Sequence, residues 1–272
     1  MISKESVRAV AFDLDDTLLR DDISISEYTV DTLRAMRGAG MAVIPASGRA
    51  TLSMLPYVEQ LGCVSMYIAC NGAEIWDGET HRLLHSETFS TELGKEIAAF
   101  GKEHGSYAQT YEGDCFYFSE RSIWADRYAS TSLLRGVYVG DLAEFINEPR
   151  NKILMMDEEE KIASMLKEAR VRFAGRVSVT CSKPYFLEFN PIHATKGIAL
   201  EAVAERLGIR AKDIIAFGDS LNDQPMLQAS GWSVAVKNGR KELHELCDAV
   251  CGTNQEDGVA RYLHEHFQGV CF

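Results

Sequence analysis

The chain has 272 residues, 46% of them hydrophobic and 25% charged, and a formal net charge of −12. This is the composition of an ordinary folded protein, and the length allows one large domain or two modest ones. The acidic balance argues against nucleic acid as a partner, because phosphate backbones are held by clustered Lys and Arg, but it leaves a small anionic substrate open.

The predicted elements run as follows. "VRAVAFDLD" (7–15) is a buried strand that ends in carboxylates, and "SEYTVDTLRAMRGAG" (26–40) is a helix with Tyr28, Leu33 and Met36 on its apolar stripe. "MAVIPAS" (41–47) is a second buried strand, "GRATLSMLPYVEQLG" (48–62) a second helix and "SMYIAC" (65–70) a third strand, with a tight turn at "WDGE" (76–79). Strand and helix in alternation predict a parallel α/β sheet, whose active loops lie at the carboxyl ends of its strands.

The pattern changes after about residue 82. A helix over 91–105, two β-prone runs around "EGD" within 107–120, a strand at 151–157, a helix at 158–170 and a strand-turn-strand over 176–190 predict an α+β module. The first pattern then resumes: helix 195–208, strand 213–219, short strands 232–236 and 248–252 with helices near 223–229 and 239–246, and a closing helix 256–267. The expected organisation is one α/β core made of 1–82 and 190–272, with a second domain, 83–189, inserted.

No apolar run reaches the roughly 18 residues of a membrane helix, and the N-terminus lacks a signal-peptide layout, so no membrane partner and a cytoplasmic location are expected. Seven cysteines follow no framework; Cys247 and Cys251 form a lone C-x3-C without a second pair, and buried free thiols are the better reading. "HEH" at 264–266 is explained as well by a solvated helix end as by a metal.

Four short stretches carry candidate chemistry. In "DLDDT", Asp13 is a candidate nucleophile toward phosphorus and Asp15 a candidate acid to the leaving group and then base to water, with a hydroxyl hydrogen bond available from Thr17. A plain capping turn explains a lone D-x-D-x-T about as well. In "SGR", the Ser47 hydroxyl and the Gly48 and Arg49 amides can donate to a phosphate at a helix start. Lys196 opens a helix, where its charge is mildly unfavourable, so neutralising phosphate and Asp13 is a candidate task beside simple solvation. In "GDSLND", Asp219 is the first choice for a Mg2+ ligand and Asp223 binds directly or through water, although Asn222 and Asp223 are also good helix caps.

Taken together, D-x-D-x-T, S-G-R, K and G-D-x-x-N-D in this order resemble the haloacid dehalogenase-like hydrolase superfamily. The resemblance implies a Rossmann-like doubly wound parallel sheet and an aspartyl-phosphate mechanism. It makes Asp13 the nucleophile and Asp15 the general acid/base. Thr17, Ser47, Gly48, Arg49, Lys196 and Asn222 fall to the phosphate, and Asp13, Asp15 (by its backbone carbonyl), Asp219 and Asp223 to Mg2+. Only 29 residues separate Thr17 from Ser47 but 148 separate Ser47 from Lys196, so the insertion is similar to a type II cap, and its helix-and-hairpin content to subclass B. "NGAEI" (71–75) and "LEFNP…TKG" are similar to the Cof-like phosphatases. The implied activity is Mg2+-dependent hydrolysis of small phosphorylated metabolites, sugar phosphates first; a phosphomutase of the same fold and a weakly catalytic phospho-ligand sensor are the alternatives. Asp16 is expected to be a solvated turn residue. Tyr111, Phe116, Tyr117, Trp124 and Tyr185 are expected either to fill the cap core or to line the pocket, and His193 to touch the pocket edge. Oligomeric state is not readable.

Overall fold

A computed structural model describes residues 6–132 and 134–269. In chain order the first elements are β1 (Ala9–Phe12), α1 (Glu27–Gly38), β2 (Ala42–Pro45), α2 (Thr51–Leu61), β3 (Met66–Ala69), β4 (Glu74–Asp77) and β5 (Leu83–Ser86). Next come α3 (Thr91–Glu103), β6 (Tyr107–Glu112), β7 (Cys115–Phe118), α4 (Ile123–Ser132), β8 (Arg135–Tyr138), α5 (Leu142–Phe145), β9 (Ile153–Met156), α6 (Glu159–Arg172), β10 (Val177–Thr180) and β11 (Phe186–Pro191). The last are α7 (Lys196–Arg206), β12 (Ile214–Gly218), α8 (Gln224–Ala229), β13 (Trp232–Val236), α9 (Lys241–Leu246), β14 (Ala249–Cys251) and α10 (Gly258–Phe267).

The core sheet is parallel throughout, in the order β14-β13-β12-β1-β2. A parallel bridge between Ala46 and Ile68 attaches β3 beside β2, and β4 and β5 continue antiparallel from it. Every β1 residue is buried, as expected for a strand covered on both faces. Its alternate residues serve different helices. Val10 and Phe12 pack with Leu33, Met54 and Leu263 from α1, α2 and α10, whereas Ala9 and Ala11 pack with Leu200, Val203 and Met226 from α7 and α8. Helices therefore cover both faces of the core, which is the doubly wound α/β arrangement.

The inserted segment has its own six-stranded sheet, β10-β11-β9-β6-β7-β8. One face packs on α3 and α6 through Ile153, Met155, Leu187 and Phe189. The other face carries Tyr107, Tyr111, Leu154 and Met156 and gathers α4 against it. β5 pairs with β4, and β11 runs on to Pro191, so residues on both sides of positions 82/83 and 189/190 share strands or hairpins.

Several local expectations are corrected. Strand β1 stops at Phe12, leaving Asp13 to start the loop. Tyr28 points outward at 39% exposure, and the buried face of α1 is Thr29, Val30, Thr32, Leu33 and Met36. Helix α2 begins only at Thr51, two residues past Arg49. The turn after "WDGE" is wider than a two-residue hairpin, because Asp77 Oδ1 gathers the amides of Glu79 and Thr80. Helix α4, strand β8 and the short α5 were not predicted. Of the cysteines, Cys63, Cys70, Cys115, Cys181 and Cys251 are buried and free, Cys247 is free and half-buried, and Cys271 lies outside the described residues.

Candidate active site

Strands β1 and β12 are neighbours in parallel register, Phe12 opposite Phe217, so the chain leaves both at the same edge of the sheet. The Asp13 amide donates to Phe217 O at 3.1 Å, and Asp219 follows β12 directly. Asp13, some two hundred residues away in sequence, thereby comes beside Asp219 and Asp223. Single carboxylate oxygens of the three lie within 4.8 Å of one another, all buried.

Lys196 completes the cluster. Its Nζ lies 2.6 Å from Asp13 Oδ1 and 2.6 Å from Asp223 Oδ1, and the side chain is fully buried. Two glycines make this approach possible. A Cβ on Gly197 would lie 2.5 Å from Pro225 O, so the start of α7 meets α8 this closely only with glycine there. A Cβ on Gly218 would come 2.5 Å from Asp223 Cβ. Asp223 Oδ2 accepts from the amides of Asp219 (3.0 Å) and Ser220 (2.9 Å), and Thr17 Oγ1 donates to Asp219 Oδ1 at 2.9 Å.

Three buried carboxylates lie together, and Lys196 pairs with two of them, Asp13 and Asp223. Burial raises the Asp13 carboxyl to about 7, with Asp223 and Asp15 adding to the rise and Lys196 opposing it. Burial, then Asp223, Asp13 and Asp16, push Asp219 well above the ordinary range. Burial would lower the Lys196 ammonium, but Asp13 and Asp223 outweigh it and hold it above its usual value. The excess of oxygen-borne negative charge is the donor set that a hard divalent cation takes. The residues present fit Mg2+.

Asp15, a quarter exposed, turns to Arg49. Arg49 Nη2 reaches Asp15 Oδ1 at 2.7 Å and Nε reaches Oδ2 at 2.8 Å. Burial opposes ionisation of Asp15, but this fork outweighs it and holds the carboxyl below its ordinary range. Arg49 Nη1 donates to Ser53 Oγ and also to Thr131 O at the end of α4, a link from core to cap.

The cluster opens into a cavity of about 380 Å3 between core and cap. Asp13, Asp15, Ser47, Gly48, Asp219 and Asn222 line its core side. Lys152 of the cap donates to Gly48 O at 2.6 Å and pairs with Glu188.

Two of the residues assigned to phosphate are placed otherwise. Thr17 gives its hydroxyl to Asp219 and, like Lys196 and Asp223, does not line the cavity. The Arg49 amide donates to Ser47 Oγ, and its guanidinium goes to Asp15; with α2 starting at Thr51, neither Gly48 nor Arg49 stands at the first helical turn. Asp16 has a left-handed backbone (φ 59°), is about half exposed, and pairs with Lys183 of the cap at 3.3 Å, so it is more than a solvated turn residue. Of the five cap aromatics, Trp124 and Tyr185 line the cavity, Tyr111 and Phe116 are in the cap core, and Tyr117 stacks on Phe145. His193 is exposed and does not line the cavity.

A chain of amides was missed. Asn190 Nδ2 donates to two backbone carbonyls, Cys70 O and Asn151 O, which can only accept. Its Oδ1 must therefore face Asn71 Nδ2 (3.0 Å), and Asn71 Oδ1 must accept from Asn222 Nδ2 (3.0 Å). The polarity passes along all three residues and leaves Asn222 Oδ1 buried without a hydrogen-bond partner among the described residues. The signal in the sequence was the pair "NGAEI" and "LEFNP", whose asparagines had no assigned task.

Residues 10–263 match a profile of haloacid dehalogenase-like hydrolases. The 5-amino-6-(5-phospho-D-ribitylamino)uracil phosphatase YitU of Bacillus subtilis is 30% identical, covering 95% of this chain and 97% of its own. A haloacid dehalogenase-like hydrolase structure from B. subtilis superposes with a TM-score of 0.85 at 28% identity, covering 94% and 99%. The HAD subclass IIB sugar phosphatase BT4131 shares the fold at a TM-score of 0.84 and 22% identity, covering 97% and 100%. With the cluster at the strand ends and a separate cap sheet above it, these matches establish that the chain belongs to the haloacid dehalogenase-like hydrolases, in the Cof-like branch, and is a phosphatase.

Proposed function

We propose that the protein is a Mg2+-dependent phosphomonoesterase that hydrolyses a small phosphorylated metabolite through an aspartyl-phosphate on Asp13. The observation that carries this reading is the buried cluster of Asp13, Asp219 and Asp223, with the Lys196 ammonium paired to Asp13 and Asp223, beside a partly open cavity between core and cap. The cluster is short of positive charge, and a transferring phosphoryl group with its cation is a load that suits it. The expected core, 1–82 and 190–272, and cap, 83–189, supply its two walls.

An Asp13 oxygen attacks phosphorus as the bond to the ester oxygen breaks, and Asp15 gives that oxygen its proton. Asp15 then takes a proton from water as the water oxygen attacks phosphorus. The bond to Asp13 breaks, phosphate leaves and the carboxylate is restored. Lys196 and the Ser47 hydroxyl hold the phosphoryl oxygens, with the Gly48 amide and the Asn222 amide beside them. When bound by Asp13, Asp219, Asp223 and the Asp15 carbonyl, Mg2+ supplies positive charge that lets these carboxylates and the phosphate coexist. The fork from Arg49 keeps Asp15 ionised, the form that activates water, so Asp15 must take up a proton before it can act as acid.

The relative YitU is named for a phosphorylated ribitylaminouracil, which supports a small metabolite as substrate. Sugar phosphates belong in the same assay. The test is phosphate release with Mg2+ over small phosphoesters, without a bisphosphate activator, for the wild type and Asp13→Asn. Turnover lost in Asp13→Asn supports the reading. Release that requires a bisphosphate points to a mutase, and metal binding with no release from any ester overturns it.

A further inference from the structure

One buried cation of the cap meets a backbone carbonyl of the core. Lys152, just before β9 and 2% exposed, donates from Nζ to Gly48 O at 2.6 Å and to Glu188 Oε1. The backbone at its base is fixed as well: Asn151 Nδ2 donates to Glu74 Oε1 at 2.6 Å, and Asn151 O accepts from Asn190 Nδ2 at 3.1 Å. A buried ion pair adds little to stability over apolar residues of the same shape, so stability alone does not account for this one.

The carbonyl that Lys152 holds belongs to the loop proposed to take the phosphoryl group. Gly48 O and the Arg49 N–H lie on one peptide plane. Lys152 fixes the oxygen end of that plane, and at the other end the Arg49 amide donates to Ser47 Oγ at 3.1 Å. With that lone pair of Ser47 Oγ taken, the hydroxyl proton is what the side chain offers a phosphoryl oxygen, and Ser47 lines the cavity. The loop is also hemmed in: a Cβ on Gly48 would lie 2.9 Å from Asn71 Oδ1 and 3.3 Å from Glu188 Oε1.

We infer that Lys152 is a positioning residue for phosphate: through Gly48 O it fixes the peptide that aims the Ser47 hydroxyl, and Glu188 holds its ammonium in place. This rests on the phosphomonoesterase reading, in which Ser47 and Gly48 hold the phosphoryl oxygens. The Lys152–Glu188 pair is neutral as a whole and brings no net charge to the cavity wall, so its effect is on the geometry of the loop. That effect is the same whichever ester is bound. A residue that read the leaving group would instead favour one ester over another.

The test is the double variant Lys152→Met/Glu188→Gln in the intact protein, which removes both charges and strands neither. Its urea midpoint reports folding. Three further readings are the Kd of Mg2+ by calorimetry, the competitive Ki of inorganic phosphate with Mg2+, and kcat/KM for acetyl phosphate, phenyl phosphate and glucose 6-phosphate. The phosphate Ki should rise, and kcat/KM should fall for all three esters alike, by about tenfold or more. The Mg2+ Kd should stay within about twofold, since neither residue is hydrogen-bonded to Asp13, Asp219 or Asp223 among the described residues. If the double variant does not fold, Glu188→Gln alone decides by the same readings, with an equal loss of about threefold or more on each ester. A loss confined to one ester overturns the inference, as does a wild-type phosphate Ki or an equal weakening of Mg2+ and phosphate. No turnover by the wild type counts against the phosphatase reading, and phosphate binding by calorimetry, wild type against variant, then decides the positioning role alone. A wild type that binds no phosphate overturns both.

Discussion

Arg49 holds Asp15 by both carboxylate oxygens, at 2.7 and 2.8 Å, and with its remaining nitrogen holds the end of α4 through Thr131 O. One guanidinium thus fixes the orientation of the proposed acid/base and ties it to the cap. Arg49→Lys cannot make the planar fork, so it should lose most of the effect that Arg49→Ala loses. We expect kcat/KM to fall by about tenfold or more in both, following the 10²–10⁴-fold worth of a positioned acid/base. Steady-state kinetics on a small phosphoester decides it: a Lys variant with wild-type kcat/KM would show that the fork does not matter.

The raised Asp13 carboxyl makes apo-stability depend on pH. Its folded value is about 7 against 3.8 for a free carboxyl, so between these values the folded state keeps a proton that the unfolded chain has lost. This contribution is complete below about pH 4 and disappears as pH rises through 7. In EDTA, Tm should therefore fall from pH 5.5 to pH 8. The gain in Tm from added Mg2+ should be larger at pH 8, where fewer protons compete for the cluster. Scanning fluorimetry at both pH values, with and without Mg2+, tests this; an equal Mg2+ gain at each would refute it.

Opposite substitutions in the cluster should act oppositely on stability. Lys196→Met leaves the buried carboxylates uncompensated and should cost about 3–5 kcal/mol in metal-free urea unfolding. Asp13→Asn removes one repelling charge, so at pH 8 without metal it should be no less stable than the wild type while losing turnover. Asp16→Asn, which removes only a half-exposed pair with Lys183, should lower activity far less than Asp13→Asn.

The amide chain predicts an effect at a distance. Asn71→Leu removes the link that orients Asn222 and leaves Asn190 Oδ1 unpaired, at a cost of about 1–3 kcal/mol. Because Asn71 touches Asn222 and not the cavity, kcat should drop while KM changes little. Matched kinetics and urea melts separate this from simple unfolding, and loss of stability with wild-type kcat would argue against the orienting role.

The alternating β/α core was legible because its strands are short continuous apolar runs and its loops carry carboxylates at their ends. That Asp13, Lys196, Asp219 and Asp223 come together was legible in a similar way, because residues at strand ends and helix starts of such a core leave short motifs. What stayed hidden depends on tertiary geometry. Helix α4 has a weakly patterned sequence, and its helical state is set by packing on Tyr111 and Phe116. Thr17 and Arg49 are of residue types that suit phosphate, and only the fold reveals that their donors already meet Asp219, Asp15 and Ser47. The Lys152–Glu188 pair and the three asparagines join residues up to 151 positions apart, beyond any spacing rule.

The two faces of the cap sheet differ in how freely evolution can alter them. Ile153, Met155, Leu187 and Phe189 hold α3 and α6, and changes there endanger the fold. Leu154, Met156, Phe186 and Glu188, one position out of phase, line the cavity; Leu154 and Met156 also hold α4 and Glu188 pairs with Lys152, so a change there shifts the cavity wall and the α4 contact while α3 and α6 keep their packing. The cavity wall can therefore change on one side of a strand while the proposed hydrolytic residues, encoded far away on either side of the insertion, stay untouched.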